Sequence, residues 1–92
     1  MDIKVIHDID NGRFVANING DEAYAAYTLQ DDIIKLYSTF TPPHLRGRGI
    51  AETIVEHVFN HARENNLKVE PACSYVQTFI SRNKEFNDLI IN

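Results

Sequence analysis

Two adjacent prolines, Pro42 and Pro43, constrain this chain more than any other feature. Neither can donate a backbone hydrogen bond, so a strand that reaches them must stop there. Just beyond, Arg46-Gly47-Arg48-Gly49-Ile50-Ala51 leads into Ile50, Ile54, Val55, Val58, Phe59 and Ala62, which recur with the one-face period of an amphipathic helix. The glycines therefore occupy a loop that turns directly into a helix N-terminus. Such a terminus carries backbone N–H groups without intrahelical acceptors and the positive end of the helix dipole. Gly47 and Gly49 place no side chain between a ligand and that backbone, while Arg46 and Arg48 add positive charge. These parts fit a cradle for an anion, with a pyrophosphate as the natural guest. The same glycines would also serve a plain tight turn, and loop arginines are commonly solvated surface charges. Two nucleotide motifs are excluded. No Gly-Lys-Ser/Thr follows, and the third glycine and early strand–helix–strand unit of a dinucleotide fold are missing.

Ahead of the prolines the chain alternates. Ile3–His7 reads as a strand ending at Asp10-Asn11-Gly12, where Asn-Gly signals a hairpin. Arg13–Ile18 alternates with Phe14, Ala16 and Ile18 on one face, and Asn19-Gly20 turns it back. Glu22–Leu29 then puts Ala23, Ala25, Tyr27 and Leu29 together, and Gln30-Asp31-Asp32 leads into Ile33–Phe40. Four strands joined by tight turns make an antiparallel meander. After the prolines, a helix from about Arg48 to Glu64 crosses over to a short fifth strand, Leu67–Val69, with Asn65-Asn66 as the helix stop. A right-handed crossover makes strand five parallel to strand four. Ligands of such units collect at the carboxyl ends of the strands, where this helix begins. Ser74-Tyr75-Val76-Gln77 has the form of a capping box, which predicts a second helix from Tyr75 to about Asn83 with Val76, Phe79 and Ile80 inward. Phe86, Leu89, Ile90 and Ile91 suggest a last turn docking on the core.

The expected architecture is thus α/β (α+β): a mostly antiparallel five-stranded sheet, a crossover helix and a short C-terminal helix. Ninety-two residues make one domain, 1–92, with one core. No apolar run approaches membrane-spanning length and Met1-Asp2-Ile3-Lys4 lacks a signal-peptide core, so no membrane is expected and the location is read as cytoplasmic. The single cysteine excludes an internal disulfide and agrees with a reducing compartment. A net charge of −4 argues against nucleic acid. One basic loop in an acidic protein suggests a small anionic ligand instead.

The order Arg46-x-x-Gly49-x-Ala51 resembles the (Gln/Arg)-x-x-Gly-x-(Gly/Ala) pyrophosphate loop of GNAT-type N-acetyltransferases. Pro71-Ala72-Cys73-Ser74-Tyr75-Val76, followed by Phe79-Ile80, resembles the Pro-x-Cys-x-(Phe/Tyr)-(Val/Ala) stretch of their very short single-domain branch. The resemblance covers about Ser38 to Phe86. It implies acetyl-CoA (or CoA) as the bound cofactor and transfer of acetyl to an amine acceptor, small molecule or protein. The alternative is a CoA-binding or protein-interaction module with little or no catalysis. It also implies a GNAT-like fold, with the loop Arg46, Gly47, Arg48, Gly49, Ile50 and Ala51 on the cofactor. A backbone N–H around Phe40 or Thr41 would meet the thioester carbonyl, and Asn83, with Arg82 and Lys84, would reach towards the nucleotide end.

Three side chains stand as candidates for chemistry. Cys73 would lie one residue before a helix N-terminus, where the dipole favours thiolate; the plainer reading is a small buried hydrophobe. Tyr75 could protonate the leaving CoA thiolate or simply pack. His44, beside the loop, is the candidate base. The short branch carries His-Thr before the strand-end proline, where this chain has Ser38-Thr39, so a His–Cys pair from that position is missing. His57 and His61 stand four apart, but nothing completes a metal set, and with Glu56, Asn60 and Glu64 they read as a solvated face.

Overall fold

The computed structural model describes residues 3–91. Five strands, β1 (Val5–Asp8), β2 (Arg13–Ile18), β3 (Asp21–Gln30), β4 (Ile33–Phe40) and β5 (Lys68–Pro71), form one sheet in sequential order. The first four pair antiparallel and β5 runs parallel to β4, as the crossover requires. Helix α1 (Ile50–Glu64) makes that crossover, and α2 (Ser74–Arg82) follows β5. A 3-10 segment, Lys84–Leu89, closes the chain on the core, where Ile91 N–H donates to Val69 O at 2.9 Å. No helix among the described residues is long and apolar enough to cross a membrane.

The turns follow local chemistry. Asn19 and Gly20 both take positive φ (54° and 91°), the geometry of a two-residue hairpin whose twist matches the strands. Asp31 and Asp32 do the same between β3 and β4, with φ of 52° and 62°. The first hairpin differs from the expected tight Asn-Gly turn. Ile9–Asn11 coils into a 3-10 turn, and Gly12 (φ 63°) closes it with its N–H on Ile9 O at 3.1 Å.

One face of the sheet holds the core. All six apolar α1 positions named above are buried, against Phe14, Ala16, Ala23, Ala25, Ile34 and Leu36. Ala16 of β2 and Ala23 and Ala25 of β3 lie under the helix, which lets its backbone approach the sheet. Phe59, Phe79 and Phe86 stack with ring centroids 5.3–6.0 Å apart and tie α1, α2 and the closing segment together. The opposite face is uncovered among the described residues. Val15 and Ala26 lie flat on it, outside the core cluster, beside exposed Ile6 and Phe40.

The alternation fails at one point. Ala26 pairs with Ser38 and Tyr27 with Leu36, which leaves Tyr37 of β4 as the extra residue of a β-bulge. A second departure concerns His61. It does not sit on a solvated face: its ring meets His7 edge-on at 4.6 Å and Phe14 at 5.6 Å. His7 stacks on Phe14 at 4.0 Å, and its Nε2 is 2.6 Å from the Tyr27 hydroxyl.

Burial and the neighbouring His61 hold His7 below its ordinary value, against an opposing pull from Asp8. Its folded pKa is therefore depressed, so its contribution to stability is complete above the unfolded value of about 6.5 and is lost as pH falls through the folded one. The thermal midpoint should drop as the buffer is taken from neutral to about pH 5. In a His7→Phe variant, which keeps the stack but cannot take a proton, that part of the drop should be missing. Calorimetric scans of both proteins across the range check this.

Candidate active site

Beyond Leu36, β4 and β5 part. Their pairing ends at Leu36 and Pro71, where Ala72 N–H donates to Leu36 O at 3.0 Å, and the bulge at Tyr37 follows at once. The end of β4, the loop between Pro42 and Gly49, the start of α1 and Tyr75 of α2 enclose a cleft of about 500 Å³. Thr39, Phe40, Thr41, Arg46, Gly47, Gly49, Ile50, Ala51 and Tyr75 all line it, as do Leu45 and Glu52.

The loop is built by its prolines and glycines. Pro43–Leu45 forms a 3-10 turn whose buried Leu45 anchors it. Gly49 is the α1 N-cap with φ 77°, and Gly47 has φ 83°, a conformation that side chains rarely adopt. A Cβ on either would meet no atom within 4 Å, so both glycines border open space. Among the described residues, Thr53 is the first along α1 whose N–H finds a backbone acceptor, Gly49 O at 3.0 Å. The N–H groups ahead of it remain free for a ligand.

Cys73 is placed differently from the expected capping box. Ser74 already belongs to the helix, and Cys73 is itself the N-cap of α2. Gln77 sends its side-chain N–H to Pro71 O (3.1 Å) instead of back to the cap. The thiol makes no cap hydrogen bond to the first turn of α2; its hydrogen-bond partner is the Thr39 hydroxyl, 3.5 Å from Sγ. Burial pushes the thiol up, but that hydroxyl and the field of the nearby backbone N–H groups, none of them hydrogen-bonded to the sulfur, outweigh it. The net result is a thiol held below its ordinary value. Burial and the nearby Glu52 carboxylate hold Tyr75 above its ordinary value, against Arg82, so its phenol keeps its proton.

Several expected site residues do not line this cleft, and Cys73 is one of them: its sulfur meets the cleft wall only through Thr39, at 3.5 Å. His44 turns away: its Nε2 is 2.9 Å from Asp21 Oδ2, an exposed tether to the β2–β3 turn. Arg48 is exposed and is not part of the lining. Asn83 caps the end of α2, donating to Phe79 O at 2.9 Å. Arg46 does border the cleft, but its Nε donates to Thr41 O (3.1 Å) and so braces the loop. Conversely, Thr39 and Glu52 belong to the site although the sequence did not single them out for it. Regular alternation from Ile34 and Leu36 points Thr39 to the opposite face; only the bulge turns it to Cys73. Among the described residues there is no cluster of metal ligands.

A mostly antiparallel five-stranded sheet whose β4–α1–β5 crossover begins in a glycine loop beside an open cleft defines a class of small α/β folds. The comparisons place it further. Residues 13–89 match the family described as GCN5-related N-acetyl-transferase. Protein NATD1 of Bos taurus and of Homo sapiens are each 32% identical over 84 residues, covering 88% of this chain and 74% of theirs. The fold is similar to the NMR solution structure of a GCN5-like protein from Staphylococcus aureus, with a TM-score of 0.74 and 24% identity over 99% of this chain and 88% of that one. The chain belongs to the GCN5-related N-acetyltransferase family.

A Thr39→Val substitution keeps shape but removes the hydroxyl beside the sulfur, so the thiol pKa should rise. Iodoacetamide should then alkylate Cys73 several-fold more slowly at neutral pH, with the rate–pH midpoint moved up, while the wild-type midpoint lies below that of a free thiol.

Proposed function

We propose that this protein binds acetyl-CoA in the cleft at the end of β4 and transfers its acetyl group to an amine through Cys73. The observation that carries the reading is the juxtaposition of free helix N–H groups and two open glycines at the cleft with the Cys73 sulfur, 3.5 Å from Thr39 of the cleft wall. The N–H groups of the loop and of the first turn of α1 would hold the pyrophosphate. Leu45, Ile50 and Phe40 offer apolar wall to the pantetheine arm. Cys73 thiolate attacks the thioester carbon, the bond from that carbon to the CoA sulfur breaks, and the departing thiolate takes the Tyr75 phenolic proton. The acceptor amine then attacks the Cys73 thioester, releasing the thiolate and returning a proton to Tyr75. Cys73 and Tyr75 end as they began, and the products are an amide and CoA. The default location for such an activity is the cytoplasm.

At about one hundred times its dissociation constant, CoA should add about 2.7 kcal/mol to stability. A domain of this size moves ~4–8 °C per kcal/mol, so the midpoint should rise by roughly 10 °C or more. Gly49→Val adds a strained φ and a side chain inside the cleft and should abolish most of that rise. Arg46→Ala should weaken CoA about tenfold or more by loosening the loop and removing a charge-assisted contact. An unmoved midpoint at saturating CoA overturns the cofactor. Intact-mass spectrometry after incubation with acetyl-CoA and no amine should show one acetyl group, absent in Cys73→Ser. CoA binding without that gain returns the protein to a binding module.

A further inference from the structure

The sheet face away from α1 carries one continuous apolar row that the acetyl chemistry does not use. The register places Ile6 opposite Val15, Val15 opposite Tyr24 and Tyr24 opposite Phe40, so four strands contribute one residue each to a line across the sheet. Tyr24 and Phe40 touch as tilted rings, 5.7 Å between centroids. One end of the line is Phe40, which also borders the acetyl-CoA cleft. The other end opens into a second cleft of about 590 Å³ at β1 and β2, where Ile6 and Ile9 are 57% and 70% exposed. Such exposure of large aliphatic side chains on one small patch marks a contact surface.

The charges around the second cleft say what the contact takes. Asp8, Asp10 and Glu22 line it with a single guanidinium, Arg13, which is already held by Asp8 (3.3 Å) and Glu22 (3.3 Å). Hydrogen bonding from Asn11 keeps Asp8 ionised well into the acid range, since its pKa is lowered. Apolar side chains bordered by surplus carboxylates suit an aliphatic stem ending in a cation, the form of lysine. Adjacent strands lie ~4.8 Å apart, so Ile6 and Phe40 stand about 14 Å from each other, the span of roughly five extended residues.

We propose that this face is the acceptor track: an extended, lysine-rich polypeptide segment lies along the Ile6–Phe40 row, with one lysine in the acidic cleft and another directed past Phe40 to Cys73. The fate of the second lysine rests on the acetyl-transfer reading; the docking itself does not.

The test uses an eight-residue peptide containing three lysines, a leucine and a valine, acetylated at its N-terminus and fluorescently labelled. Its counterpart has glutamate for each lysine. On isotope-labelled protein, the lysine peptide should shift the amide signals of Ile6, Ile9, Val15 and Tyr24, and the glutamate peptide should not. Ile9→Ser and Asp10→Lys, both in an exposed turn away from the core, should each weaken the lysine peptide about tenfold by anisotropy, a loss of about 1.4 kcal/mol. Both should keep the wild-type midpoint and its response to CoA. Shifts confined elsewhere, equal binding of both peptides, or variants with unchanged affinity overturn the track. So does a wild-type dimer in sedimentation that Ile9→Ser dissolves, which would assign the face to a second copy of this chain. If CoA leaves the midpoint unmoved while the peptide still maps to this row, the acetyl reading fails and the docking surface stands.

Discussion

The single extra residue at Tyr37 governs the geometry around it. In a regular β4, Leu36 and Ser38 would share a face and the strand would continue beside β5. The bulge instead puts Leu36 and Thr39 on the same face, opposite Tyr27 and Ala25 respectively. It bends the strand where pairing with β5 ends. From that bend follow the open ends between the strands, the meeting of Thr39 with Cys73, and the place of Phe40 at the junction of two clefts. The prolines two residues further on keep β4 from pairing again.

Cys73 depends on the same divergence. A cysteine at a helix N-cap sits at the positive end of the helix dipole, yet burial alone would raise its pKa. The Thr39 hydroxyl and N–H arrive from the neighbouring strand and tip the balance downward. Local helix geometry and a long-range strand contact thus act on one sulfur. The histidine that the short branch carries is not needed for this polarisation, because hydrogen-bond donors can favour a thiolate as a positive charge does.

The economy of the fold also shapes its surfaces. With α1, α2 and the closing segment all against one face, three stacked phenylalanines concentrate the core near β5. The β1–β2 end is fastened by the His7–Phe14–His61 contacts and the Tyr27 hydroxyl. Nothing among the described residues covers the opposite face, so side chains there answer to solvent or a partner rather than to packing.

Local chemistry was legible in the sequence wherever it decided the outcome. Pro42 and Pro43 ended β4, the Asn19-Gly20 and Asp31-Asp32 turns formed where expected, and the six buried positions of α1 followed from their period alone, whereas Asn11-Gly12 closed a 3-10 turn instead of a tight hairpin. The open glycine loop at the start of α1 was readable because glycines before a helix leave N–H groups that no local residue can satisfy. Side-chain partners across strands were not readable. His44 found Asp21, His61 found His7, and Arg46 turned back on Thr41, each by proximity that the sequence spacing does not contain. The capping box at Ser74 also lost to tertiary geometry, which set the cap one residue earlier. The sequence by itself determined the order of elements and the glycine loop that opens α1, since those rest on backbone propensities within a few residues. Only the tertiary structure decided which face Thr39 takes, and so which side chain stands beside the Cys73 sulfur. A bulge reverses side-chain alternation through pairing with a distant strand, and no local pattern records it.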